Sequence, residues 1–335
     1  MPTWSELPLR LVKSYSQILK WNQNHYGSGD SHGGGRFAPK DYGDDDFGEE
    51  DVDKYFTPKV KTKQYTSDPK DLHAVFSQMD KDGCLFNCSV DEMAKRWATV
   101  APTVHPHEFL RAFFGKNGAT NTNVGQLQLQ VNLADKKISF AATGDELMVH
   151  GERVHDYQRV VDLENHGVEH SALKVDEARQ GSGLVKKLFK SCMPLYEKLG
   201  VSHITLYANI DRGAYAWGKY GFKYYDAESR ASHQKEVTAR FNKVMSLPSA
   251  KDMPPEAAKE RDAVAKVLKG KKDETVWALT DMKTPHLDKL FDKIIKKDSS
   301  KSNFIKLLMK NTNWSGVMDI QKGSNGRARL DQYLG

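Results

Sequence analysis

The stretch on which the fold turns is Ser171-Ala-Leu-Lys-Val-Asp-Glu-Ala-Arg-Gln-Gly-Ser-Gly-Leu-Val-Lys-Lys-Leu-Phe189. Ala172 to Val175 reads as a buried strand end and Asp176 to Ser182 as a tight connection. Leu184, Val185, Leu188 and Phe189, continued by Met193 and Tyr196, recur at helical spacing. A glycine-rich turn therefore feeds straight into a helix. The first amides of a helix have no intrahelical acceptor and its dipole is positive at that end, each effect being worth roughly 0.3–1 kcal/mol where solvent reaches it. Gly181 and Gly183 remove the side chains that would keep a phosphate off the backbone. An ordinary strand-to-helix loop whose glycines only make the turn is the open alternative. A Walker loop is excluded, since no Lys-Ser/Thr pair follows the last glycine, and the three-glycine dinucleotide fingerprint is absent.

Two motifs carry a more specific resemblance. Gln180-Gly-Ser-Gly183-Leu-Val185, entered from a strand ending in Val175-Asp176, resembles the Gln/Arg-x-x-Gly-x-Gly/Ala acyl-CoA signature of the GNAT superfamily of N-acyltransferases. Val185 departs from it, standing where the family has Gly or Ala. Further on, Ser202 to Asn209 alternates as a strand with Ile204, Leu206 and Ala208 on one face. Gly213 to Tyr220 reads as a short helix, and Gly221-Phe222 leads into Lys223-Tyr224-Tyr225. The family is similar in this order of strand, Asn, short helix and Gly-Phe.

The resemblance implies an α/β (α+β) fold with a mixed, mostly antiparallel sheet and a strand-loop-helix CoA site. It implies acetyl-CoA as co-substrate, an amine acceptor and no metal. The cofactor would lie along Leu173, Lys174 and Val175 and on the loop Gln180, Gly181, Ser182, Gly183, Leu184 and Val185, with Asn209 nearby. Family members often carry a proton-donating Tyr four residues before the Gly of Gly-Phe; here that residue is Trp217, and Tyr215 and Tyr220 are the possible substitutes. A carboxylate or histidine base would come from Glu164, Glu169 or His170, with Glu169 and His170 preferred. The alternative reading of Tyr215, Trp217, Tyr220 and Phe222 is as core aromatics.

Outward from this core, 335 residues suffice for about two domains. Residues 1–24 read as an amphipathic helix, with Leu7, Leu11, Tyr15, Ile18 and Leu19 near one face, suited to docking on the body or on a protein partner. Residues 25–55 read as a flexible Gly-rich and acidic linker, because few apolar side chains offset the entropy of ordering it. Within it, Gly33-Gly-Gly-Arg-Phe-Ala-Pro-Lys40 is similar to short segments of tailed-bacteriophage virion proteins. Residues 56–121 read as helical, residues 122–228 as the GNAT-like core and residues 229–335 as a mainly helical, basic accessory domain. In the core, Gln126–Leu133 and Lys137–Ala141 are expected as an antiparallel hairpin. Later, Thr284 to Lys297 reads as one helix and Trp314 to Ile320 as a terminal strand.

Net charge is +6, although Asp41 to Asp53 carries eight acidic residues, so the remainder is more basic than the total suggests. The basic clusters at 269–272, 293–297 and 301–310 lack aromatic interleaving, so a solvated helix face is expected rather than a nucleic-acid surface. No apolar run is long enough for a membrane span and no signal core follows Met1, so a cytoplasmic location, in a host cell or a virion if phage-encoded, is expected. Cys84, Cys88 and Cys192 are too few for a disulfide scaffold. Cys84 and Cys88 with His105 and His107 lack zinc-site spacing, and the EF-hand-like Asp80-Lys-Asp-Gly-Cys84 has Leu85 where Gly is required. Two functions remain: an acyl-CoA-dependent N-acyltransferase, or a GNAT-fold structural protein, plausibly of a phage virion, with vestigial CoA binding.

Overall fold

In chain order, three capped helices precede the main sheet. Asp68 accepts from Lys70 N at the start of α1 (Pro69–Lys81), Ser89 from Glu92 N at α2 (Val90–Val100), and His105 from His107 N at α3 (Pro106–Phe114). Such side chains satisfy amides that the helix itself leaves free. The Asp80-to-Cys84 turn leads into a two-residue strand, β1 (Leu85–Phe86), and no metal-binding group of three or more His, Cys, Asp or Glu side chains occurs among the described residues. The computed structural model describes residues 68–115, 126–144, 147–176, 182–208, 213–298 and 303–335. The helix and linker expected at 1–24 and 25–55 lie outside the described residues, as do Gln180, Gly181 and Asn209.

The expected hairpin is present as β2 (Leu127–Asn132) and β3 (Lys137–Thr143), antiparallel with Leu129 opposite Phe140. Next come β4 (Met148–Val149), β5 (Glu152–Asp162) and β6 (Gly167–Val175), then α4 (Leu184–Leu199) and β7 (His203–Ala208). A short helix, α5 (Gly213–Lys219), leads to β8 (Lys223–Tyr224). With β9 (Trp314–Asp319) the sheet has nine strands among the described residues, ordered β1-β2-β3-β5-β6-β7-β9-β8, with β4 pairing β5 off this path. Only β1–β2 and β6–β7 are parallel, so the fold is mixed α/β with a mostly antiparallel open sheet.

Packing follows from the alternation. On β3 and β5 the inward residues Phe140 and Tyr157 meet Phe113 of α3, whose ring also lies 6.1 Å from Tyr196 of α4. Helices α3 and α4 thus share one face of the sheet and seal it with aromatic surface, the largest apolar contribution a side chain can make.

After β8 the chain leaves the sheet as α6 (Ala227–Met245), α7 (Pro255–Leu268), α8 (Thr275–Asp281), α9 (Pro285–Leu290), α10 (Asp292–Asp298) and α11 (Phe304–Met309). The single helix expected from Thr284 to Lys297 is broken at Phe291, whose buried ring stacks on Phe304 at 5.5 Å. The strand expected at Trp314 to Ile320 is β9, which lies between β7 and β8, and the chain closes with α12 (Asn325–Leu334). No helix among the described residues is long and apolar enough to cross a membrane.

Two contacts tie this excursion to the sheet. His233 of α6, wholly buried, bridges Tyr224 OH at 2.7 Å and Thr312 Oγ1 at 2.9 Å. Gly221 has φ +106°, and a Cβ there would lie 2.6 Å from Gly326 O at the start of α12. Gly221→Ala would therefore combine left-handed strain with overpacking against backbone, and a loss of about 2–4 kcal/mol is expected in denaturant unfolding. Burial, helped by Arg240, pushes the His233 pKa down to about 3. Below pH 6.5 the unfolded chain takes up a proton that the native imidazole refuses, so this contribution to stability is lost as the pH falls toward 3. Unfolding at pH 7 and pH 5 should show a wild-type loss of up to about 1.4 kcal/mol per pH unit from this group, absent in His233→Gln.

Candidate functional site

The site arises where β6 parts from β7. The two strands pair in parallel only from Gly167/His203 to His170/Leu206, although β6 runs on to Val175 and β7 to Ala208. Beyond His170, β6 remains paired with β5 on its other side, through Ala172/Gln158, Leu173/Tyr157 and Lys174/Asp156. The divergence coincides with a bulge: Gln158 pairs Ala172 and Val160 pairs Glu169, so His170 and Ser171 together face Arg159. A bulge of this kind bends its strand and re-aims the side chains beside it.

Helix α4 starts at the same end of β6. Gly183 precedes it with φ +80° and ψ 12° and, as glycine, brings no side-chain cap to the first turn, and the space where a Gly183 Cβ would stand is open. Ser182 Oγ is buried without a hydrogen-bond partner. Leu184 is buried in the core, whereas Val185 reaches the cavity between α4 and the sheet.

That cavity is narrow and partly open to solvent, with room for about one water molecule. Its apolar wall is Leu173, Val185, Leu188, Phe189 and Trp217, and its polar wall is Tyr157, Arg159, His170, Cys192 and Tyr196. It is far smaller than the roughly 300–1,000 Å³ of a pocket that encloses a whole drug-sized ligand. Trp217 of α5 is held edge-on by Tyr220 and Phe222, each ring 5.5 Å away.

Burial sets the charge of the polar wall. His170 Nε2 lies 3.1 Å from Tyr196 OH, its ring stacks on Phe189 at 5.8 Å, and Nδ1 is sealed from solvent without a partner. Desolvation, aided by the Arg159 charge, holds the imidazole well below the ordinary histidine range, so the ring is neutral at pH 7. Burial also pushes the Cys192 thiol up to about 12 and the Tyr157 and Tyr196 phenols well above 10. The wall therefore carries one net charge, the guanidinium of Arg159.

Of the five side chains considered for proton transfer, Glu164, Glu169, His170, Tyr215 and Tyr220, His170 alone lies on this wall. Glu164 and Glu169 are exposed. Tyr215 OH donates to Thr280 O on α8 at 3.3 Å, and its ring faces Lys306 of α11 at 5.4 Å. Tyr220 OH pairs with Tyr333 OH of α12 at 3.2 Å. Among the cofactor candidates Leu173 and Val185 line the cavity, Lys174 is exposed and Val175 is half-buried. No family model, curated protein or solved structure was found to match the chain.

Arg159, Tyr196 and Cys192 were not among the site residues expected from the sequence, Tyr196 having been read only as part of a helical stripe and Cys192 only as a cysteine outside any disulfide scaffold. A signal for Arg159 exists: it shares strand parity with Tyr157 and Val161, both buried, so the period-2 pattern of β5 turns it inward.

Proposed function

We propose that this protein is an acyl-CoA-dependent N-acyltransferase of GNAT type, moving an acyl group, acetyl in the simplest case, from a thioester to an amine. The observation that carries the reading is the parting of β6 from β7 beside the uncapped first turn of α4. An extended ligand arm can add to the edge of β6 at Ala172 to Lys174, which pairs with no strand other than β5 among the described residues, by strand-type hydrogen bonding. A pyrophosphate can sit on the first amides of α4, where the missing cap and the open space at Gly183 leave it room. The orphaned Ser182 Oγ supplies one further hydrogen-bonding group at that end.

When bound, acyl-CoA supplies an activated carbonyl and a thiol leaving group. The chain's part is to position it and to exclude water from it. Neutral His170 is a hydrogen-bonding group rather than a strong base, since its low pKa makes it a poor acceptor from an ammonium. The acceptor amine would thus enter already deprotonated, or lose its proton to water or to exposed Glu169. Trp217, standing at the position of the family's tyrosine, can donate a hydrogen bond from its indole but cannot protonate a thiolate.

A second reading, a GNAT-fold structural protein with weak or no catalysis, plausibly of a phage virion, draws on two observations. Val185 takes up cavity wall where the family has Gly or Ala, and the Tyr215 and Tyr220 hydroxyls are engaged by α8 and α12. Thermal unfolding with acetyl-CoA at 100 times its dissociation constant should raise stability by about 2.7 kcal/mol, and Gly183→Val should abolish the gain by filling the phosphate seat. No gain for the wild type would sink the acyltransferase reading. Where the gain is seen, thiol release with a panel of amines is expected to be measurable, and its absence with every amine would leave the structural reading.

A further inference from the structure

Strand β6 breaks the alternation of its side chains at one place. His170 and Leu173 are three residues apart, so strict alternation would send them to opposite faces of the sheet, yet both line the cavity between α4 and the sheet. The pairing with β5 shows how: Val161 meets Val168 and Tyr157 meets Leu173, a step of four residues on one strand against five on the other. The extra residue is the bulge opposite Arg159. Without it Tyr157 would meet Ala172, Leu173 would turn outward, and the exposed Lys174 would turn onto the inner face. The side chains therefore require the bulge, while the backbone resists it, because an extra residue interrupts the ladder and leaves polar groups to be satisfied.

Arg159 meets that need. It is only 2 % exposed, and its Nη1 donates to Gln158 O on β5 and to Ala172 O on β6, each at 2.6 Å. One nitrogen thus joins two carbonyls that flank the bulge, and the Tyr157 ring, 4.5 Å from the guanidinium carbon, holds the side chain against the sheet. A buried arginine whose hydrogen bonds go to main-chain carbonyls fixes backbone geometry. We propose that Arg159 is a positioning residue for the acyl-CoA edge: it staples the bulge, and the bulge decides which side chains of residues 172–174 face the cavity and how that edge is presented to a ligand. The consequence for acyl-CoA rests on the acyltransferase reading; the staple does not. Because both bonds come from a single nitrogen, the ammonium of a lysine can replace them, whereas an apolar chain cannot.

Amide hydrogen exchange is compared in the wild type, Arg159→Met and Arg159→Lys. In Arg159→Met the amides of residues 172–174 should exchange at least about tenfold faster while those of the β2–β3 hairpin keep their wild-type rates, and Arg159→Lys should restore the slow exchange. Unchanged exchange at 172–174 in Arg159→Met, or the same acceleration in the hairpin, would overturn the staple. A second reading needs no variant to fold: NMR of the wild type should show hydrogen-bond couplings from Arg159 Nη1 to the carbonyl carbons of Gln158 and Ala172, and a freely rotating guanidinium would overturn the proposal. By calorimetry, Arg159→Met should bind acetyl-CoA at least about tenfold more weakly than the wild type, and Arg159→Lys nearly as tightly. Should the wild type and Arg159→Met bind acetyl-CoA equally well, the positioning role falls while the acyltransferase reading stands. Should exchange respond as expected while the wild type binds no acetyl-CoA, the acyltransferase reading falls and the staple stands.

Discussion

Among the described residues, strand β6 pairs with β7 through its first four residues only, while its pairing with β5 runs on to Val175, and the site depends on this asymmetry. Antiparallel pairing with β5 keeps Ala172 to Val175 extended, while the bulge opposite Arg159 bends the strand away from β7. Buried backbone groups are nearly always paired. A strand that gives up its neighbour part-way therefore leaves an edge that either water or a ligand must satisfy. The placement of α4 at the same end puts the first turn of a helix next to the end of that strand.

The remainder of the molecule keeps this arrangement rigid. Aromatic contacts from α3 and α4 clamp β3 and β5 from one face, and Lys187 of α4 pairs with the largely buried Glu152 at the start of β5 at 2.9 Å. On the far side, β9 completes the sheet only after the helical excursion of residues 227–313. Ser229 Oγ and Ser315 O, the buried His233 bridge and the close approach of Gly221 to Gly326 fasten that excursion to the strands it interrupts. In the midst of this packing, Arg159 brings a single positive charge into an otherwise neutral cavity.

Much of this was legible in the sequence, because it rests on local patterns. The β2–β3 hairpin follows from alternation of Leu127, Leu129 and Val131, and the start of α4 from Gly183 before an apolar stripe. The short β7, α5 and β8 elements follow from period changes and from Gly221. What was not legible depends on long-range pairing. Nothing local distinguishes Trp314 to Asp319 as an inner strand from an edge strand, and the break at Phe291 is set by its contact with Phe304. Tyr215 and Tyr220 sit close to the motif in sequence, yet their hydroxyls are claimed by α8 and α12, elements more than fifty residues further along. Arg159 was readable from strand parity, but composition argues against burying an arginine, and what holds it is long-range: the carbonyls of Gln158 and Ala172 at the bulge and the Tyr157 ring.

The most direct measurement of the central claim, that the β6 edge and the first turn of α4 together receive an acyl-CoA, is amide hydrogen exchange across residues 171–187 with and without acetyl-CoA. Protection of amides in both Ala172–Val175 and Leu184–Lys186, with the β2–β3 hairpin unaffected, is the predicted result. Exchange that is unchanged in both segments at saturating ligand would contradict it.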